Sequence, residues 1–157
     1  MNIEQLLYNR GLVKAAQSTP LWEIARLMSS HGVGAVLITE GSGDNAPLVG
    51  IVTDRDIVSA QLEQAKDLSS LSAGAVMTRN VLSLTQGESV EGAIAHMCAR
   101  GVRRAPVVSA DGVPLGVVST DDLLTQVSSK LSKIAGIVAR QSQREATVRE
   151  LREDEGV

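Results

Sequence analysis

The stretch GIVTDRDIV occupies Gly50–Val58, and a matching stretch, GVVSTDDLL, occupies Gly116–Leu124. Each begins with glycine, continues with two β-branched residues and a Thr or Ser, and has an aspartate three residues after that hydroxyl. The pattern predicts the end of a β-strand followed directly by the first turn of a helix. Because it recurs after 66 residues, it also indicates an internal duplication.

The duplication covers most of the chain. A shift of 69 residues aligns Met28 with Met97 and Gly32 with Gly101, and after the loop at residues 40–49 the shift becomes 66. Each copy predicts a strand, an amphipathic helix ending at glycine, a hairpin and a second helix. The predicted strands are Leu12–Ala15, Ala35–Thr39 and Leu48–Thr53 in the first copy, and Val81–Leu84, Ala105–Val108 and Leu115–Ser119 in the second. The second helices are predicted to begin at Asp54 and Thr120.

These elements predict an α/β (α+β) fold of two β-α-β-β-α repeats related by a pseudo-twofold axis. A three-stranded sheet is too small to be stable alone, so we expect the two small sheets to pack together with the helices outside. The expected divisions are residues 1–69 for the first repeat, 70–128 for the second, and 129–157 for a C-terminal tail that is either helical or disordered.

Composition limits the possible partners. Of the 157 residues, 43% are hydrophobic but only 1% aromatic, and the formal net charge is −3. The core must therefore be aliphatic, and neither aromatic stacking nor a basic surface favours nucleic acid or an anionic membrane. Without a basic, apolar leader or an apolar run of about 20 residues, we expect a soluble cytoplasmic protein. The single cysteine, Cys98, excludes an internal disulfide, and we expect it to be buried in its helix.

The repeated hydroxyl–acid pattern has two interpretations. In the first, Thr53 with Asp56 and Ser119 with Asp122 form capping boxes that satisfy the first turn of each following helix. In the second, the same strand tips present free N–H groups and a carboxylate that can accept the hydroxyls of a ribose. The residues alone leave both open.

In sequence, the chain resembles a tandem pair of CBS domains (cystathionine β-synthase type), also called a Bateman module. The two quoted stretches carry the resemblance, together with VMTRNVLSL at Val76–Leu84 and GVRRAPVV at Gly101–Val108, and it spans about Leu7 to Val127. It implies a regulatory module that binds AMP, ADP, ATP or S-adenosylmethionine in the cleft between repeats. It also implies a homodimer shaped as a disc of four CBS units, acting on an unidentified downstream protein.

The same resemblance implies roles for particular residues. The ribose would be held by Asp56 and Asp122, assisted by the hydroxyls of Thr53 and Ser119. The ligand's phosphates would meet Arg103 and Arg104, and the adenine would be flanked by Lys14, Ala16, Gly34 and Ala35. Because Gly34–Ala35 aligns with Arg103–Arg104, and Arg55 with Asp121, we expect two unequal sites.

We expect a non-catalytic protein. Neighbouring acids could hold Mg²⁺ beside bound ATP, but no nucleophile motif or phosphate-binding loop accompanies them. The alternative hypothesis is a ligand-free interaction or dimerisation module whose repeated patterns only cap helices. Trp22, on the flank of the first long helix, is predicted to lie at a homodimer contact.

Overall fold

The computed structural model describes residues 2–7, 12–64 and 67–154. It divides into two compact units, residues 1–120 and 121–157. The first unit contains α1 (Glu4–Leu7), β1 (Lys14–Ala16), α2 (Leu21–His31), β2 (Ala35–Thr39), β3 (Leu48–Thr53), α3 (Asp54–Gln64), a 3₁₀ turn (Leu68–Ser70), α4 (Ala73–Val76), β4 (Leu84–Thr85), α5 (Val90–Arg100), β5 (Arg104–Val108) and β6 (Pro114–Ser119).

Two three-stranded sheets carry the same topology. Their orders are β1-β2-β3 and β4-β5-β6, with the first pair parallel and the second antiparallel in each. Both hairpins have a register irregularity at the same place, between Ile38 and Thr39 and between Val107 and Val108. The fold class predicted from the sequence, two β-α-β-β-α repeats, is therefore confirmed.

The first strand of each repeat starts later than predicted. The expected bounds Leu12–Ala15 and Val81–Leu84 are wrong, because the parallel ladder with the neighbouring strand begins only at Lys14 and at Leu84. Pairing across the sheet decides these bounds, and local composition carries no signal for it.

The helices α2 and α5 end as predicted. Gly32 and Gly101 follow them with φ angles of 62° and 63°, in the left-handed region that favours glycine. At the start of α5, the Ser89 hydroxyl accepts a hydrogen bond of 3.0 Å from Gly92 N–H. These caps fix where each long helix stops and the next strand begins.

The short helices α1 and α4 attach each repeat to the other. Ile3 N–H donates to Glu88 O (3.0 Å) ahead of α5, and Leu21 N–H donates to Leu71 O (2.9 Å) at the start of α2. The segment leading into each repeat thus pairs with the start of the long helix of the other repeat. This reciprocal exchange supports the expected pseudo-twofold relation.

The two sheets pack together. A cluster of buried residues on β2 and β3, formed by Ala35, Leu37 and Ile51, contacts Val81 and Val117. Because Val117 lies on β6 and Val81 precedes β4, the cluster joins both repeats. Separately, α2 buries Leu21, Ile24 and Met28 in the core of the first repeat.

One side of α5 differs from the expectation. The helix buries Val90, Ala93 and Met97, whereas Ile94 is 38% exposed and Cys98 is exposed. Our prediction of a buried Cys98 is therefore wrong. The core-facing stripe of α5 is narrow, and Ile94 and Cys98, four residues apart, lie together on its flank.

The second unit is helical through its described residues. Helix α6 (Thr120–Asp154) continues through the predicted tail, and several of its apolar side chains are exposed, including Leu131, Ile134 and Ile137. In the described part of the chain, no helix combines the length and apolarity needed to cross a membrane.

Candidate functional site

A cavity of about 430 Å³ lies between the two repeats, within the first unit. The first repeat lines it with Leu12, Val13 and the turn Gly32–Ala35, and the second repeat with Arg104 and β6. Ligand pockets in proteins have volumes of about 300–1,000 Å³ and mostly apolar walls with a few polar groups. The volume of this cavity lies in that range, and polar and apolar atoms contribute about equally to its wall.

Two glycines shape the cavity wall, one by allowing a side chain to pack directly on a strand and one by allowing a sharp turn. A Cβ atom built on Gly116 would lie 2.8 Å from Leu7 Cδ2, so glycine allows the side chain of α1 to rest on β6. The left-handed Gly32 ends α2 and turns the chain toward Gly34 and Ala35 at the cavity wall.

The Arg104 guanidinium reaches across to the first repeat at Gly34. A Cβ atom on Gly34 would lie 3.4 Å from Arg104 Nη1 and 3.3 Å from Asp54 Oδ2. Asp54 N–H donates to Gly34 O (3.2 Å), and in the second repeat Thr120 N–H donates equivalently to Arg103 O (2.9 Å). Gly34 and Arg103 therefore occupy matching positions, and the positive charge comes from the second repeat only.

The pair Thr53 and Asp56 forms a reciprocal capping box at α3. Asp56 Oδ2 accepts hydrogen bonds from Thr53 N–H (2.7 Å) and from the Thr53 hydroxyl (2.8 Å), while Asp56 N–H donates to Thr53 Oγ1 (3.3 Å). Among the described residues, Asp56 Oδ1 has no hydrogen-bond partner. The capping interpretation holds for this helix, and one carboxylate oxygen remains available to a further donor.

Removing that cap has a measurable cost. We expect Asp56→Ala to lower the free energy of unfolding by about 0.5–2 kcal/mol, as loss of a helix cap does. Urea denaturation followed by circular dichroism measures the change, with Glu63→Ala on the exposed surface of the same helix as the control. Equal costs for the two variants would contradict the capping role.

Ser119 and Asp122 belong to different units. Ser119 ends β6, is 7% exposed and lines the cavity. Asp122 lies in the first turn of α6, in the second unit, and is half-buried.

Of the residues that the resemblance implicates, four line the cavity: Gly34, Ala35, Arg104 and Ser119. Its lining does not include Thr53, Asp56, Arg103, Lys14 or Ala16. The Lys14 ammonium instead donates to Asp44 O (3.0 Å) on the loop between β2 and β3. The ligand-binding roles of all these residues stay predictions.

Sequence reasoning missed several lining residues. Leu12, Val13, His31 and Val117 line the cavity, and their residue types gave no sign of it. The sequence does hint at the role of Gly116, because a glycine inside a strand often marks the close approach of another group. Nowhere in the described ranges do three or more His, Cys, Asp or Glu side chains gather as a metal site.

Two similar sheet-and-helix repeats that exchange leading segments around a shared cavity define a tandem repeat module. The chain belongs to the CBS domain family, because the CBS domain model matches residues 3–63 and 73–129.

Two curated relatives align with most of this chain. An uncharacterised protein of Methanopyrus kandleri is 30% identical over 115 residues, which are 73% of this chain and 57% of that protein. Hypoxic response protein 1 of Mycobacterium tuberculosis is 29% identical over 117 residues, covering 74% of this chain and 79% of that one. The chain spans 30% to 64% of the length of the first four curated relatives that it matches.

Solved structures share the fold. A putative signal-transduction protein with CBS domains from Burkholderia ambifaria has a TM-score of 0.69 and 24% identity, covering 81% of this chain and 93% of that one. The CBS domain pair of protein MJ0100, in complex with 5′-methylthioadenosine and S-adenosylmethionine, has a TM-score of 0.68 and 23% identity, covering 83% and 98%.

Proposed function

We propose that the protein is a regulatory module that binds an adenosine-containing ligand in the cavity between its two repeats. The candidates are AMP, ADP, ATP, with or without Mg²⁺, and S-adenosylmethionine. The observation that carries the proposal is the cavity of about 430 Å³, which both repeats line and whose lining residues include Ser119 and Arg104. The adenosine compounds bound to the CBS domain pair of MJ0100 support the ligand class.

Each part of such a ligand has a matching group in the cavity. Apolar side chains of Leu12, Val33 and Val117 suit the faces of a purine base. The Ser119 hydroxyl suits a sugar hydroxyl. The Arg104 guanidinium suits a phosphate or a carboxylate, both of which it can bind through two parallel hydrogen bonds.

Regulation would follow from the position of the cavity. A ligand that contacts both repeats shifts their arrangement by as much as it prefers one arrangement over another. We place the protein in the cytoplasm as a homodimer that passes this change to a downstream protein. Trp22, 47% exposed with the Arg26 guanidinium 5.9 Å from its ring centroid, is the proposed dimer contact.

The Arg104 side chain provides the test. We expect Arg104→Gln to weaken AMP binding about 10- to 100-fold, because it removes a charge-assisted hydrogen bond to the phosphate. Isothermal titration calorimetry measures the dissociation constant. The control is Arg100→Gln, which removes the same charge from an exposed residue at the end of α5, outside the cavity lining, and should leave binding unchanged.

The alternative, a ligand-free interaction module, is favoured by one observation: the Thr53–Asp56 pair already forms a complete cap. A ligand at about 100 times its dissociation constant should stabilise the fold by about 2.7 kcal/mol. If AMP, ADP, ATP and S-adenosylmethionine give neither a calorimetric signal nor a thermal shift, the ligand-binding proposal is wrong. That result would support the ligand-free interaction module.

A further inference from the structure

An acidic and a basic side chain from different repeats approach the same lining residue of the cavity, Gly34; Arg104 belongs to the lining itself, whereas Asp54 does not. Asp54 is the first residue of α3, Arg104 is the first residue of β5, and both approach Gly34, which lines the cavity. Their charged atoms lie 3.3 and 3.4 Å from the position that a Cβ on Gly34 would take. The ion pairs among the described residues do not include one between them.

The charges around the cavity determine which anionic groups can bind next to Asp54. Among the described residues that line the cavity, Arg104 is the only lysine or arginine. A carboxylate bound to Arg104 is balanced by that one charge, whereas a single terminal phosphate, with a charge of about −1.5 to −2 at pH 7, is balanced only in part. Further phosphates would find no second guanidinium or ammonium group in this lining and would be repelled by the Asp54 carboxylate.

An α-amino acid group fits this pair of charges. Its carboxylate can accept two hydrogen bonds from a guanidinium, and its ammonium group can donate to a neighbouring carboxylate. We infer that Asp54 and Arg104 determine specificity, and that they select an adenosine ligand with a zwitterionic amino acid tail over one with a polyphosphate tail. This inference rests on the proposed function. Since the two residues come from different repeats, such a tail would also connect the repeats.

A comparison of two thioethers of adenosine measures how much the amino acid tail contributes to binding. S-adenosylhomocysteine carries the amino acid group, whereas 5′-methylthioadenosine carries a methyl group in its place. By isothermal titration calorimetry, we expect the first to bind at least about tenfold more tightly than the second, because it gains charge-assisted hydrogen bonds. ATP should bind more weakly than S-adenosylhomocysteine.

The Asp54→Asn variant tests the residue itself. We expect it to weaken S-adenosylhomocysteine binding about tenfold, to strengthen ATP binding, and to leave 5′-methylthioadenosine unchanged. The matched control is Asp111→Asn, which removes one negative charge from an exposed turn outside the cavity lining. That control should change none of the three affinities.

The outcomes distinguish this inference from the proposed function. If both thioethers bind equally well, the inference is overturned while the proposed function stands. If Asp54→Asn and Asp111→Asn change the affinities alike, only the net charge matters and Asp54 has no specific role. If no adenosine compound binds the protein, the proposed function and the inference are both overturned.

Discussion

Replacing Leu37 by alanine is expected to lower the free energy of unfolding by about 2–5 kcal/mol, the cost of truncating a fully buried leucine. Leu37 is 0% exposed on β2, and its cluster contacts Val81 and Val117 from the second repeat. The truncation therefore leaves a void where the two sheets meet. We expect both repeats to unfold together in one transition, because they share this part of the core.

Urea denaturation followed by circular dichroism measures the effect. Leu62→Ala makes the same chemical change on α3, where the side chain is 80% exposed, and should cost less than about 0.5 kcal/mol. A third variant, Leu21→Ala, removes a fully buried leucine from the core of the first repeat and should cost as much as Leu37→Ala. If Leu37→Ala behaves like Leu62→Ala, the sheets do not share a core.

The sequence predicts the first hairpin and the starts of the second helices correctly, whereas the strands of the second hairpin begin one residue earlier than predicted, at Arg104 and Pro114. The bounds Ala35–Thr39 and Leu48–Thr53, and the helix starts at Asp54 and Thr120, match the structure. Runs of β-branched residues bounded by glycine and polar turns carry this information locally. The duplication strengthens it, since each element is seen twice.

Local sequence patterns could not predict the exchange of leading segments between the repeats. The helices α1 and α4 have four residues each, too few for a helical period to show in the sequence. Their role depends on hydrogen bonds between distant residues, such as Ile3 with Glu88. Contacts over such separations are set by the tertiary fold.

The candidate site was predictable in part, through the resemblance to a family. That resemblance pointed to Arg104, Ser119, Gly34 and Ala35, all of which line the cavity. It could not reveal which apolar residues complete the wall, because burial and orientation depend on packing. Nor could the residues decide whether Asp56 caps a helix or binds a sugar, since one geometry serves both roles.

Replacing Gly50 by alanine is expected to destabilise the protein by about 1–3 kcal/mol, the usual cost of overpacking. A Cβ atom there would lie 2.6 Å from Met77 Sδ and 2.9 Å from Thr78 O. Met77 can change rotamer, but Thr78 is held by two backbone hydrogen bonds, Ile51 N–H to Thr78 O (3.1 Å) and Thr78 N–H to Ile51 O (2.9 Å). The new methyl group must therefore displace the segment that leads into the second repeat.

The same substitution at two further glycines should be less destabilising, in a defined order. Gly43→Ala meets no atom within 4 Å and should be neutral or stabilising by up to about 1 kcal/mol, since alanine restricts the unfolded chain. Gly116→Ala meets the flexible end of Leu7 at 2.8 Å and should fall between the two. Urea denaturation of the three variants gives the order directly. If Gly50→Ala is as harmless as Gly43→Ala, the segment at Met77 and Thr78 does not pack against β3.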